Sequence, residues 1–253
     1  MIGVLIKIRH KKYILIELKK YKKGWIMHIE AGVVNGAKML LSYGTGLAVI
    51  GTGLKLSWDN IQENGVLSFL LKSFLAMIIV FSCFEILPHY PIGVSEVHLI
   101  LGTTIFLIFG LAPAMVGLSL GLLLQGLFFA QFDLPQYGIN VTTLLASMMF
   151  LNIVAQKIIP KNTPYKDISY SQLFKLSVAW EGTIVAWVAF WAFYGQGFGA
   201  ENLQNVFSFG SAYMGVVLIE PLVDMAVLYG VKTFYSSREC NILFDKRVNN
   251  CRV

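Results

Sequence analysis

The sequence predicts an all-α, polytopic membrane protein, with about seven transmembrane or membrane-embedded helices packed in one bundle. Three observations carry this expectation. Only 13% of the 253 residues are charged while 56% are hydrophobic, whereas a soluble domain carries about 25% charged residues. The stretches 65–87, 98–130, 138–159 and 207–231 hold few or no charges, and a bilayer core of ~30 Å needs about 20 apolar residues per helix. The basic residues, finally, are sorted by side along the chain. A mean hydropathy of +0.66 agrees with all three.

Seven apolar segments follow in order, at about 36–55, 66–87, 98–111, 113–131, 138–158, 172–195 and 205–231. The third is too short to cross alone as a straight helix. Its start, behind Pro88 and Pro91, predicts a helix that begins partway into the membrane. No repeat, low-complexity stretch or long linker interrupts the series, so residues 27–233 form one transmembrane domain, followed by a tail at 234–253.

Charge on the connections sets the orientation. The connections 88–97, 132–137 and 196–204 contain no Lys or Arg, whereas the alternate ones carry Lys55, Lys157, Lys161 and Lys166. The tail adds Lys232, Arg238, Lys246, Arg247 and Arg252. Lys/Arg-rich connections stay cytoplasmic during insertion, so the C-terminal tail is expected inside. With seven crossings, the region around Met27 and the 88–98 connection are expected together outside.

Residues 1–26 form a basic leader with eight of the twenty Lys/Arg and one of the fourteen acids, leaving twelve basic and thirteen acidic residues in the rest. The high pI therefore belongs to the leader, and nucleic acid is not expected as a partner of the body. Its apolar stretch, Tyr13-Ile14-Leu15-Ile16, is far shorter than the 7–15-residue core of a secretory signal. Two readings remain: translation begins at Met27, or an atypical leader is removed before it. A basic segment lying on the membrane is the competing reading, and it would invert the topology.

Small residues recur at Gly32, Gly36, Gly44, Gly46, Ala48, Gly51, Gly53, Gly117, Gly121 and Ala130. In lipid, where apolar faces gain little by associating, such residues let helix backbones approach closely. Packing inside the bundle is the first reading and a docking face for a partner subunit the second. Gly32 and Gly36 have the spacing of a GxxxG helix-packing motif. Cys83, Cys240 and Cys251 show no CxxC spacing, so neither a disulfide framework nor a zinc site is expected.

Among four histidines, His10 lies in the leader, while His28, His89 and His98 fall on the outer face by the charge argument. Buried acids and histidines in apolar segments are functional candidates by default, which adds Glu85, Glu96, Glu181, Glu220 and Asp224. Glu96 stands two residues from His98 and is placed to orient a ligand histidine or attract cations. Glu220-Pro221 predicts a kinked helix whose carboxylate bonds to a neighbouring helix. Glu181 and Asp224 read as structural partners or coupling residues ahead of ligands. Trp180, Trp187, Trp191 and Tyr194 recur at helical spacing, as an aromatic belt or packing stripe would. The chain contains no GxxxxGK[ST], HExxH, GxSxG or paired-Asp motif, so neither ATP hydrolysis nor an intramembrane metal-dependent hydrolase finds its residues here. A non-transporting membrane scaffold is the remaining alternative.

Three stretches resemble one family. Met27-His28-Ile29 followed by Gly32 is similar to the opening of the CbiM-type membrane component of energy-coupling-factor importers for cobalt and nickel. Gly93-Val94-Ser95-Glu96-Val97-His98-Leu99 resembles that family's Gly-x-Ser…His-Leu loop, here one residue longer. Gln125-Gly126-Leu127-Phe128-Phe129 with Gly138-Ile139-Asn140 resembles a third stretch. Glu30 and Ala31 stand where the family often has Pro and an acid, and Val141-Thr142-Thr143 follow Asn140 where the family has a second Asn. The resemblance implies a metal-binding S component in the cell (inner) membrane, holding Co²⁺ or Ni²⁺ as cargo, with no resident cofactor and no enzyme activity of its own. The implied ligands are the amine of Met27, the amide and ring of His28 and the ring of His98. Glu30, Ser95, Glu96 and Asn140 are candidates for the surrounding shell. An amine pKa of about 7.7–8.0 lets a metal displace the proton readily, and all-nitrogen tetragonal fields suit Ni(II). The implied partners are the lipid bilayer, a transmembrane coupling (T) subunit, two cytoplasmic ATPase subunits and, optionally, a small accessory membrane subunit.

Overall fold

A computed structural model describes residues 28–29, 31–161 and 163–234. Seven α-helices run in chain order: α1 Met39–Asn64, α2 Val66–Glu85, α3 Gly102–Phe109, α4 Leu111–Phe128, α5 Tyr137–Ile158, α6 Tyr170–Gln196 and α7 Ala200–Phe234. All but α3 are long and apolar enough to cross a membrane. A short hairpin of β1 Tyr90–Ile92 and β2 Ser95–Val97 lies between α2 and α3, which the apolar pattern did not indicate. The expected segments are therefore all present. The largest change is in α1, which continues past 55 to Asn64 because a helix keeps its internal hydrogen bonds after its side chains turn polar.

Glycines with left-handed backbone end several helices: Gly65 after α1 (φ 82), Gly110 after α3 (φ 88) and Gly197 after α6 (φ 75), where a Cβ would be strained. The start of α6 is fixed differently. Ser169 accepts from the Gln172 amide and the Gln172 side chain accepts from the Ser169 amide, so two of the unpaired donors of the first turn are satisfied.

The direction of the helices follows from the closest approaches. A Cβ on Gly117 would stand 2.5 Å from that of Ala76, and one on Gly121 would stand 2.7 Å from the Val80 side chain. Residue numbers rise together on α4 and α2, so these helices run parallel. The chain from 86 to 110 must accordingly return across the bundle, and it does so through the hairpin, an extended stretch at 98–101 and α3. That makes a seventh crossing although only six helices are long enough to span. Helices α1 and α5 are parallel by the same test, since Gly46 meets Gly138 and Thr45 bonds Thr142 at 3.0 Å. Residues 28–29 and 31–38, the hairpin, 129–136 and the α6–α7 connection gather at one end. Lys38 Nζ donates to the Gly195 carbonyl there at 2.9 Å.

The small residues divide by face. Gly46, Gly53, Gly117, Gly121 and Gly138 meet neighbouring helices, whereas Gly44 and Gly51 of α1 face open space. Gly32 and Gly36 do not form a helix-packing motif. Both precede α1 in left-handed conformations, φ 99 and 58, so their spacing belongs to a turn. Trp180 and Trp191 are fully buried, and Trp191, Trp187, Phe190 and Tyr194 stack on one another. The aromatic repeat is a packing stripe.

Because α2 and α4 touch through a glycine, overpacking there is expected to cost about 1–3 kcal/mol. Gly117→Ala should lower the thermal midpoint of the purified protein, while Gly51→Ala, facing open space, should leave it unchanged. Equal midpoints for both variants would refute the close α2–α4 approach.

Candidate functional site

The hairpin brings the histidines together. β1 and β2 pair as Tyr90↔Val97, Pro91↔Glu96 and Ile92↔Ser95, turned by Gly93 at φ 67. The segment at 28–29 joins as a third edge: Ile29 bridges Ser95 in antiparallel fashion, and the Glu96 amide donates to the His28 carbonyl at 3.0 Å. Backbone pairing thus sets the start of the described chain against the strand that leads into His98. The two imidazole centroids lie 5.2 Å apart, with the rings at 75°. Phe84 from α2 packs edge-on against both, at 4.6 Å from His28 and 5.0 Å from His98.

Each ring is held in one tautomer by its partner. His28 Nε2 lies 2.7 Å from Gln125 Oε1, and Gln125 is itself oriented because its Nε2 donates to the Phe84 carbonyl at 3.1 Å and reaches Glu85 at 3.5 Å. A carbonyl oxygen only accepts, so His28 carries its proton on Nε2 and leaves Nδ1 free. His98 has the opposite arrangement. Its Nδ1 lies 3.2 Å from the Leu99 carbonyl, so Nδ1 donates and Nε2 is free. One free lone pair on each ring is what two nitrogen ligands require.

The electrostatics keep both rings in the ligand form. Burial lowers the His28 pKa to about 3, assisted by the charge of His98 and opposed by the Gln125 bond. Burial lowers that of His98 to about 4, opposed by the Leu99 bond. Both imidazoles are therefore neutral at physiological pH. The Glu96 carboxyl is pushed up to about 8, first by burial, with Asp133 and Glu85 adding to the effect and a hydrogen bond from the His28 backbone opposing it.

A cavity of about 30 Å³, room for one ion or one or two waters, is lined by His28, His98, Ser95, Glu96, Asn140 and Tyr213, with apolar walls from several helices. Asn140 Oδ1 accepts from the Ile29 amide at 3.3 Å, fixing the backbone next to His28. Of the residues singled out by sequence, His28, His98, Ser95, Glu96 and Asn140 are thus brought together. Met27 and Glu30 lie outside the described residues, as do the leader and the tail from 235. His89 is half-buried outside the cavity, with Nδ1 donating to the Leu87 carbonyl at 3.0 Å. Glu220 bonds to a neighbouring helix, α3, as expected. It accepts from the amides of Ile100 and Gly102, at 2.8 and 3.3 Å, where the chain enters α3. Among the described residues, no three His, Cys, Asp or Glu side chains are placed to hold a metal ion, so the two rings supply only part of any ligand set.

Gln125 and Phe84 are the residues that sequence reasoning left without a role. The signal for Gln125 was an amide inside an otherwise apolar helix, which lipid does not tolerate without a partner. Phe84 carried no signal among so many apolar neighbours. His28 and Leu101 are the only non-glycine residues with left-handed backbone among those described, φ 69 and 58. Such strain persists where surrounding structure imposes it, and here it flanks the paired rings.

A helical bundle with seven crossings and a small polar chamber at one end defines a multi-pass membrane protein built to receive a small ligand. The profile described as CbiM, the cobalt uptake substrate-specific transmembrane region, matches residues 28–237, and the chain belongs to that family. The protein is thus a membrane component of cobalt uptake. No curated protein and no solved structure matches the chain.

Gln125→Leu removes the acceptor that orients His28 while keeping an apolar helix face. Loss of such an orienting partner typically costs 10–100-fold in metal affinity. Titration of the purified variant with Co²⁺ is expected to show at least a tenfold weaker Kd, and wild-type affinity would exclude the orienting role.

Proposed function

We propose that this protein is the metal-capturing S component of an energy-coupling-factor importer for Co²⁺ or Ni²⁺. The ion is bound at the outer end by the Met27 amine, the amide and Nδ1 of His28, and Nε2 of His98. The observation that carries this reading is the complementary locking of the two tautomers. A residue's own amide nitrogen and its ring Nδ1 can close a chelate ring around one metal, which Nε2 cannot reach, and Nδ1 is the nitrogen that Gln125 leaves free. His98 then offers Nε2 from across the cavity. Amine, amide and two imidazoles make a four-nitrogen field of the kind that suits Ni(II) and accommodates Co(II).

The remaining parts of the proposal rest on charge and on motifs. The connections at the histidine end, 88–97 and 196–204, lack Lys and Arg, while the opposite end carries Lys161 and Lys166. Basic connections stay cytoplasmic, so the site faces outward and the C-terminus inward. The chain carries no phosphate-binding loop, so ATP hydrolysis falls to two cytoplasmic subunits acting through a membrane coupling subunit. Glu96 contributes by placing a carboxyl beside the His28 backbone, from which it accepts a hydrogen bond.

Two measurements test this. His28→Ala and His98→Ala should each weaken Co²⁺ binding at least tenfold, about 1.4 kcal/mol, while His89→Ala should change it little. Equal affinity in the His98→Ala protein would remove the ligand assignment, and N-terminal sequencing that places an upstream residue on mature Met27 would remove the amine. In cells, accumulation of labelled Co²⁺ should need the ATP-hydrolysing partners. Robust uptake by the chain alone would indicate a secondary carrier instead.

A further inference from the structure

Helix α1 is held to the bundle along a narrow stripe. Its buried residues are Ser42, Gly46, Gly53 and Ser57, and in its first half it meets α5, where Gly46 lies against Gly138 and Thr45 bonds Thr142. Farther along, its neighbours leave a gap. A cavity of about 230 Å³ lies between α1, α4 and α5, against about 30 Å³ for the chamber beside the histidines, and the two share no lining residue. Its walls include Gly53 and Leu54 of α1, Met115 and Leu120 of α4 and Leu145 of α5. The polar side chains that line it are already bonded. Ser119 Oγ donates to the Met115 carbonyl at 2.8 Å, and the Tyr137 hydroxyl donates to the Ser119 carbonyl at 3.0 Å. No group in the wall therefore calls for water.

A cavity lined by hydrocarbon stays dry and takes up apolar molecules, as one of about 150 Å³ takes up benzene. Leu54 and Leu120 are 65% and 42% exposed, so this one opens between α1 and α4 on the outside of the bundle. Both residues lie well inside helices that are long and apolar enough to cross a membrane, and the mouth accordingly faces hydrocarbon. Size separates the candidates to fill it. A transmembrane helix is about 10–12 Å across with its side chains, so it can lie over the mouth but not enter. An acyl chain is a single file of methylenes that bends to fit, and the bilayer holds one at the mouth at all times. We propose that this cleft is a binding slot for one acyl chain of a membrane phospholipid, which completes the packing of α1 against α4. An unfilled void forfeits the dispersion contacts of its walls. A run of methylenes restores them and asks for no polar partner.

Photolabelling tests the slot. The full chain is reconstituted in vesicles of phosphatidylethanolamine and phosphatidylglycerol with a trace of phosphatidylcholine that carries a photoreactive diazirine in its acyl chain. Labelled positions are mapped by peptide mass spectrometry. Surrounding lipid labels exposed residues such as Leu47 and Leu222 whatever the cleft holds. Met115 and Leu145 are each 1% exposed and are reached only from within the cleft. Label is expected on both in the wild-type protein. Gly53→Leu, which puts a side chain into the cavity, should cut that label at least fivefold, whereas Gly51→Leu, facing open space, should leave it unchanged. If Gly53→Leu does not fold, Val116→Phe fills the cleft from α4 and is read in the same way. Label on the exposed residues with none on Met115 and Leu145 would overturn the proposal, as would label on these two that the filling variant does not reduce. Loss of their label when the wild-type chain is reconstituted with the proposed partner subunits would put a partner side chain in the cleft, and would overturn it too.

Discussion

The parallel packing of α2 and α4 constrains everything else in this bundle. Two neighbouring helices joined by a short stretch of chain would ordinarily run antiparallel. Here glycine-mediated contact of Gly117 and Gly121 with Ala76 and Val80 forces residues 86–110 to recross the membrane within a short length of chain. A full helix would leave no slack for the hairpin, so part of the crossing is extended. Backbone that is not helical at membrane depth is tolerated only where protein satisfies its polar groups. Glu220 does this for Ile100 and Gly102, and Asp224 secures Thr104 one turn later. The carboxylates of α7 are in this sense a requirement of the topology.

The same constraint builds the histidine pair. His98 sits where the hairpin ends and the extended lead-in begins, so its ring is presented from a strand that is already paired. His28 reaches it because the backbone at 28–29 extends the hairpin by one edge. Gln125 on α4 and Phe84 on α2 come from the two parallel helices themselves. A single packing decision therefore positions the rings, their orienting amide and their aromatic wall.

Much of this was legible in the sequence, for reasons that differ by element. The six long helices were visible because lipid-facing segments must be apolar over about twenty residues. The short third segment was visible as a run that was too short, following Pro88 and Pro91. The hairpin was not, since three-residue strands containing Pro91 and Glu96 offer no period to read. Gly32 and Gly36 misled because spacing alone presupposes a helix, and the backbone there is left-handed. His28 and His98 stood out as polar residues at the borders of apolar runs, and loop charge put them at the same end. Gln125 acquired its meaning only when α2 and α4 came together, since its partners Phe84 and His28 lie 41 and 97 residues away.

The separation of the two rings along the chain has a thermodynamic side. His28 and His98 are about seventy positions apart, with all of α1 and α2 between them. An ion held by both closes that span into a loop, as a cross-link would. Such closure removes conformations from the unfolded chain, and the gain grows with the length enclosed. The two helices inside that loop include α1, whose outward face is open. Cargo at this position would double as a temporary staple, tightening the most peripheral helix for as long as it stays bound and loosening it on departure.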